Sequence, residues 1–384
     1  MKIARYILFL GLLHGVADAC TGFLLVYLTF TGSGVTSQQA GLFLLLYNGV
    51  AFALQPLFGW GLDLWRHPRR YDRGAAIGMG LIGLALLIAQ QIPLMAILVA
   101  GSGSALFHVG AGAMAMSERR ASHCGAFAAP GVMGQAAGMG LALTSLPLLP
   151  AFIVFACLMA LALVVTQPPA LAIQTASLDS APSDSSGTEI DTPAQHNTTA
   201  QPTQLQGTLL LLLLAIALRS SIWTLWQALS ANDKLLVVAL PLAAGTGKLL
   251  GGFLAERWSA TRYAVAALAL SGPLLMNTRP APGVSVQTLL TLLGIALLQS
   301  ATPGALVALK TTLPRRPAVA AGLGFGLAIA LGGLPDLLHW NPSWNPGWNL
   351  NWNLQPWVLP ISLASALLFY AATMNGAHRK GQPA

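Results

Sequence analysis

Apolar runs of about twenty residues recur from the N-terminus to residue 374, separated by short polar turns carrying Gly, Pro or Arg. A helix crosses a bilayer's hydrocarbon core in roughly 20 residues, and in lipid its backbone must satisfy its own hydrogen bonds. The pattern predicts spans at 7–30, 39–60, 74–91, 93–116, 122–144 and 146–166, and again at 208–229, 235–254, 261–277, 286–309, 317–338 and 357–374. The ninth is cut short by Asn277-Thr-Arg-Pro-Ala-Pro-Gly283. Between the sixth and seventh spans, residues 167–206 are rich in Pro, Ser, Thr and Gln, with Asp179, Asp184, Glu189 and Asp191 but no Lys or Arg. Such a stretch cannot bury a core and reads as a disordered linker. The expected architecture is an all-α membrane protein with twelve transmembrane helices in two pseudo-symmetric six-helix bundles, 1–166 and 207–384, joined by a cytoplasmic linker at 167–206.

Charge orients this pattern. With both termini inside, Lys2, Arg5, Arg66, Arg69, Arg70, Arg73, Arg119, Arg120, Arg257, Arg262, Lys310, Arg315, Arg316, Arg379 and Lys380 all fall in cytoplasmic segments. Only Lys234 and Arg279 fall outside, and Arg219 and Lys248 lie within spans. Lys and Arg concentrate in cytoplasmic loops of membrane proteins, so the assignment is self-consistent and points to a multi-pass inner-membrane protein. Lys2, Arg5 and the Ala19-Cys20 step resemble a secretory signal. The apolar run continues to Phe30, however, and Asp18 suits a cleavage site badly, so a retained first helix is expected.

Composition narrows the classes. The chain is 55% hydrophobic and 8% charged, against about 25% charged for soluble domains. Its net charge of +8 comes from scattered clusters and forms no continuous patch, so no nucleic-acid partner is expected. Cys20, Cys124 and Cys157 show no paired spacing, which argues against disulfides and zinc fingers. Gly245-Thr-Gly-Lys248-Leu lacks the phosphate-binding loop pattern. No enzyme activity, cofactor or metal is expected. The repeat from Trp340 to Trp357, Trp-Asn in alternation with Pro, Gly and Leu, reads as an outer loop resting indoles in the interfacial belt.

The halves echo each other. The turn after the second span runs Gly59-Trp-Gly-Leu-Asp63-Leu-Trp-Arg66, and the turn after the eighth runs Gly251-Gly252-Phe-Leu-Ala-Glu256-Arg257. Each places glycines before an acid that can pair with Arg or cap a neighbouring helix, and then arginine. The fifth and eleventh spans each follow an Arg pair and carry a small-xxx-small step, Gly134/Gly138 and Gly322/Gly326. At these residues the chain resembles the major facilitator superfamily, whose Gly-x-x-x-Asp-x-x-x-Arg signature the first turn approximates. His14-Gly-Val-Ala-Asp18, Leu54-Gln-Pro-Leu-Phe-Gly59 and Gly101-Ser-Gly-Ser-Ala-Leu-Phe-His108 resemble its fosmidomycin-resistance-protein branch. That branch continues with Pro and an acid after Phe-His, whereas Val109-Gly110-Ala111 stand here. The resemblance implies secondary transport by alternating access, with proton-coupled efflux of a small anionic or drug-like molecule. Gly59, Asp63, Arg66, Gly252, Glu256 and Arg257 would then form conformational-switch loops.

Ionisable groups inside the membrane mark functional sites by default. His14 and Asp18 share one helix face, roughly 10 and 16 Å from the cytoplasmic edge at about 1.5 Å per residue. His108 and Arg219 fall at similar depth, so the four form a candidate central group. His14, Asp18 and His108 are candidates for proton coupling. Arg219, Gln135 and Gln299 are candidates for substrate binding, with Arg219 either holding Asp18 ionised or meeting an anionic substrate. Lys248 sits near the inner edge, within snorkelling reach of water. Trp223 and Trp226 are open to substrate or lipid. The rival expectation is a non-transporting assembly factor or sensor that retains the fold.

Overall fold

The computed structural model describes residues 2–30, 37–65, 67, 69–144, 146–166, 202–230, 233–276, 278, 285–339 and 355–378. Of the linker expected over 167–206, residues 202–206 are helical and open the seventh span, while 167–201, most of the Trp-Asn repeat and Arg66 lie outside the described residues. Among the described residues there is no strand.

The first half contains α1 (Lys2–Phe30), α2 (Ser37–Asn48), α3 (Gln55–Leu64), α4 (Arg70–Ile88), α5 (Pro93–Ala115), α6 (Ala121–Leu143) and α7 (Leu148–Thr166). The second contains α8 (Pro202–Leu229), α9 (Lys234–Trp258), α10 (Ala260–Met276), α11 (Val286–Ser300), α12 (Thr302–Thr312), α13 (Pro317–Gly322), α14 (Ala328–His339) and α15 (Val358–His378). Nine spans among the described residues are long and apolar enough to cross a membrane. Three shorter apolar helices, Leu148–Leu158, Ala260–Met276 and Val358–Met374, lie at the expected sixth, ninth and twelfth positions.

Local chemistry explains where the helices begin. Pro93 and Pro317 open α5 and α13, where a missing N–H costs nothing. The Asp233 carboxylate accepts from the Leu235 and Leu236 amides at 2.9 and 3.2 Å, capping α9, and Ser285 caps α11 through the Thr288 amide. The expected second and eleventh spans each change helical pitch midway and remain long enough to cross. π-helical segments at Gly49–Ala53 and Leu323–Leu327 divide α2 from α3 and α13 from α14.

Packing follows the small residues. A Cβ on Gly134 or Gly138 would overlap the carbonyl oxygens of Gly15 and Ala19, so α1 and α6 meet backbone to backbone. Close approach of this kind replaces the hydrophobic drive that lipid removes. Within the first half α1 packs on α6 and α7, and α4 on α5. Within the second, α8 packs on α14 and α15, and α10 on α11 and α12. The halves join where α6 meets α9 and where α3 meets α13.

Candidate functional site

Two sets of residues sit where the halves meet. The first lies at the arginine-rich end of the bundle. The Asp63 carboxylate, at the end of α3, accepts from the Ala318 and Val319 amides at 3.3 and 3.0 Å. It therefore caps the exposed N-terminus of α13 in the opposite half, where orphan N–H groups and the helix dipole favour an anion. Tyr71 Oη donates to the same carboxylate at 2.8 Å. Glu256, near the end of α9, accepts from the Ser122 amide and hydroxyl at 3.0 and 2.6 Å, capping α6 in the first half. Arg120 donates to its other oxygen at 3.2 Å, and the carboxylate's hydrogen bond and charge raise the Arg120 pKa. The two acids thus make the same cross-half contact in opposite directions.

Glycines let these contacts form. A Cβ on Gly59 would overlap the Ala318 carbonyl, and one on Gly252 would lie 2.7 Å from the Ala121 carbonyl oxygen. Arg257 is exposed in the last turn of α9, a favourable place for a cation.

The second set is buried at mid-depth. His14 on α1, Asp18 one turn further and His108 on α5 converge: His14 Nε2 lies 3.2 Å from Asp18 Oδ2 and 2.9 Å from His108 Nε2. His108 Nε2 is 3.5 Å from Asp18 Oδ1. The Nδ1 atom of His14 donates to the Phe127 carbonyl, and that of His108 to the Ser104 carbonyl, both at 2.8 Å. A carbonyl oxygen only accepts, so Nδ1 carries the hydrogen in both rings. The His14 ring stacks on Phe127 with centroids 4.5 Å apart, and Phe107 and Phe325 complete an aromatic wall. Gly131 makes room for it, since a Cβ there would collide with the imidazole.

Arg219, buried on α8, does not join this trio. Its guanidinium donates to Gln299 Oε1 at 2.7 Å and to Ser220 Oγ at 3.3 Å, while its Nε finds no partner. No carboxylate lies within ion-pair distance of it among the described residues. The two histidines take the place beside Asp18 that the sequence offered to Arg219. Lys248 on α9 is half-buried. Gln135 is half-buried on α6, and Trp226 is buried in the protein and away from lipid.

Sequence reasoning found the trio's members but expected no metal at them. Its donor atoms all lie within 4.8 Å of one another, a ligand set of two imidazoles and a carboxylate. Sequence spacing hides it because His14 and His108 are 94 positions apart. Cys20, Cys124 and Cys157 are free, with Cys20 and Cys124 buried.

In fold, this arrangement of helices is similar to solved structures of a major facilitator superfamily transporter. Over 98% of its length the chain superposes on the E. coli fucose:proton symporter FucP, as its N162A variant, with a TM-score of 0.65, 13% identity and 99% of that chain covered. A second FucP structure, in the outward conformation, gives a TM-score of 0.67 at 14% identity, with 98% of each chain covered. The likeness lies in the fold. No family model matches the chain, and no curated protein matches it.

Proposed function

We propose that the protein is a secondary active transporter that exports a small anionic or drug-like molecule in exchange for protons by alternating access. Twelve spans form two pseudo-symmetric bundles, 1–166 and 202–384, joined by a cytoplasmic linker at 167–201, with both termini at the cytoplasmic face of the inner membrane. The recurrence of the α1–α6 pairing as α8–α14, and of α4–α5 as α10–α11, supports this reading. Asp63 and Glu256, each holding a helix of the other half, suit a latch that breaks when the halves rock apart.

The observation that carries the reading is Arg219. A guanidinium buried at mid-depth, with an unbonded Nε and no carboxylate beside it, is costly unless something anionic arrives. Gln299 holds it in place, and Gln135 lines the facing half. Proton coupling falls to His14, Asp18 and His108, because burial brings a carboxylate and two imidazoles into one exchangeable cluster. The fosmidomycin-resistance-like stretches at His14–Asp18 and Gly101–His108 agree with efflux.

The test is flux driven by a pH gradient in proteoliposomes, over a panel of anionic and cationic solutes. Wild type is expected to collapse the gradient with an anionic solute. Arg219→Gln should lose that solute about 100-fold or more, and Asp18→Asn should abolish gradient collapse. Equal flux of the anionic solute in Arg219→Gln and wild type would withdraw the anionic substrate, and no flux from folded protein would favour the assembly-factor or sensor reading.

A further inference from the structure

The hydrogen bonding of the two histidines has a consequence for what can lie between them. With Nδ1 protonated on each ring, a neutral imidazole presents only a lone pair at Nε2. Those two lone pairs point at one another across 2.9 Å, and the acceptor-only oxygens of Asp18 lie 3.2 and 3.5 Å away. Acceptors so close repel unless a proton or a metal cation stands among them. Four-coordinate ligands about 2.0–2.1 Å from a metal are separated by about 3.3 Å, and six-coordinate neighbours by about 2.9 Å. The Nε2–Nε2 distance and each imidazole's distance to the carboxylate oxygen facing it, Oδ2 for His14 and Oδ1 for His108, bracket those edges, and one ligand atom from each residue lies within 4.8 Å of the others.

We propose that His14, Asp18 and His108 bind a divalent transition-metal ion through Nε2, a carboxylate oxygen and Nε2. Imidazole with carboxylate suits Zn²⁺, Co²⁺, Ni²⁺ or Fe²⁺, whereas Mg²⁺ and Ca²⁺ prefer all-oxygen sets. The surroundings are those of a built site. Each ligand histidine gives its one N–H, at Nδ1, to a backbone carbonyl, which fixes tautomer and ring direction. Phe127, Phe107 and Phe325 supply a dry wall, the last from the π-helical segment of the opposite half. His14 and His108 are 4% and 5% exposed, while the Asp18 side chain is 18% exposed, so the group opens on its carboxylate side.

Three protein ligands leave at least one coordination position open. The trio with a divalent ion carries a net single positive charge, and Lys248 on α9 adds another that acts on Asp18 and His108. The open position therefore favours an anionic ligand over water. This last step rests on the transport reading and changes one part of it: with the ion bound, the Nε2 atoms and the Asp18 carboxylate hold no exchangeable proton, and the anion is recognised partly as a metal ligand. The metal site itself stands on the geometry of the trio alone.

The experiment uses full-length, tag-free protein in nanodiscs, stripped with a chelator and dialysed, then titrated with Co²⁺ and with Zn²⁺. The expected result is one ion per chain, intense visible bands from low-symmetry Co²⁺, and a Zn²⁺ absorption-edge spectrum with two imidazoles at about 2.0 Å. Asp18→Asn and His108→Gln should weaken binding roughly 100-fold or more. His123→Gln, which removes an imidazole 3.5 Å from Glu118, should leave it unchanged. Failure of folded wild type to bind either ion, or binding that both ligand variants leave intact, overturns the proposal. Anion flux that survives complete metal removal also overturns the metal-ligand role while leaving the carrier standing. Metal binding without any flux keeps the site and sinks the carrier.

Discussion

At the scale of single residues, glycine decides what the site can be. Gly131 and Gly134 lie one turn apart on α6 and both face α1, yet they make opposite demands. Replacing Gly134 by Ala would drive a methyl into the Gly15 carbonyl, which is backbone and cannot yield, whereas at Gly131 the obstacle is the His14 ring. We expect Gly134→Ala to cost roughly 1–3 kcal/mol, read as a lower melting temperature in detergent. Gly131→Ala gains about 1 kcal/mol of helix propensity but displaces the imidazole from the Phe127 carbonyl. It should hold its melting temperature while losing flux about tenfold. Equal melting and equal flux for Gly131→Ala would show that the ring's position does not matter. His14 and Asp18 were legible from sequence because intramembrane charge is rare, and His108 because it stood at the same depth. The unbonded Nε of Arg219 was not legible, since it depends on what surrounds α8.

At the scale of elements, the informative features are caps and breaks. Asp63 and Glu256 were recognisable as paired acids after glycines, and capping was among their expected uses. Which helix each would cap depends on a partner some 255 and 134 positions away in sequence. Removing one such cap costs about 1 kcal/mol. Asp63→Asn and Glu256→Gln should each destabilise the closed basic end by about that amount. Hydrogen exchange should then quicken at the first turns of α13 and α6 respectively, and not at α11, whose Ser285 cap is untouched. Unchanged exchange at both turns would remove the acids from the latch. The π-helical segments were invisible to hydrophobic pattern, because an extra residue per turn leaves the apolar run intact. They lie where α2–α3 and α13–α14 face one another, and a Cβ on Gly326 would overlap the Phe52 carbonyl. Such insertions often occur at functional positions.

At the scale of the whole molecule, orientation is the property most open to a direct check. With Cys20, Cys124 and Cys157 replaced by Ser or Ala, a cysteine at Trp258 should react with a membrane-impermeant maleimide only after the membrane is opened. One at Val286 should react from outside in intact cells. Both positions are exposed, at opposite ends of the bundle. Labelling in the reverse order would turn the protein over and with it the sense of transport.

The sequence by itself determined that the chain lives in a membrane, where its helices run and which residues are expensive at depth. Each of these follows from composition and spacing within a single segment, and lipid enforces them strongly because an unpaired polar group there has no water to turn to. Tertiary structure alone decided the company those residues keep. It set two imidazole lone pairs beside Asp18, left Arg219 with an unbonded Nε, and reached each acid across to a helix of the other half. Those relations join residues separated by as many as 256 positions, and no local periodicity records them.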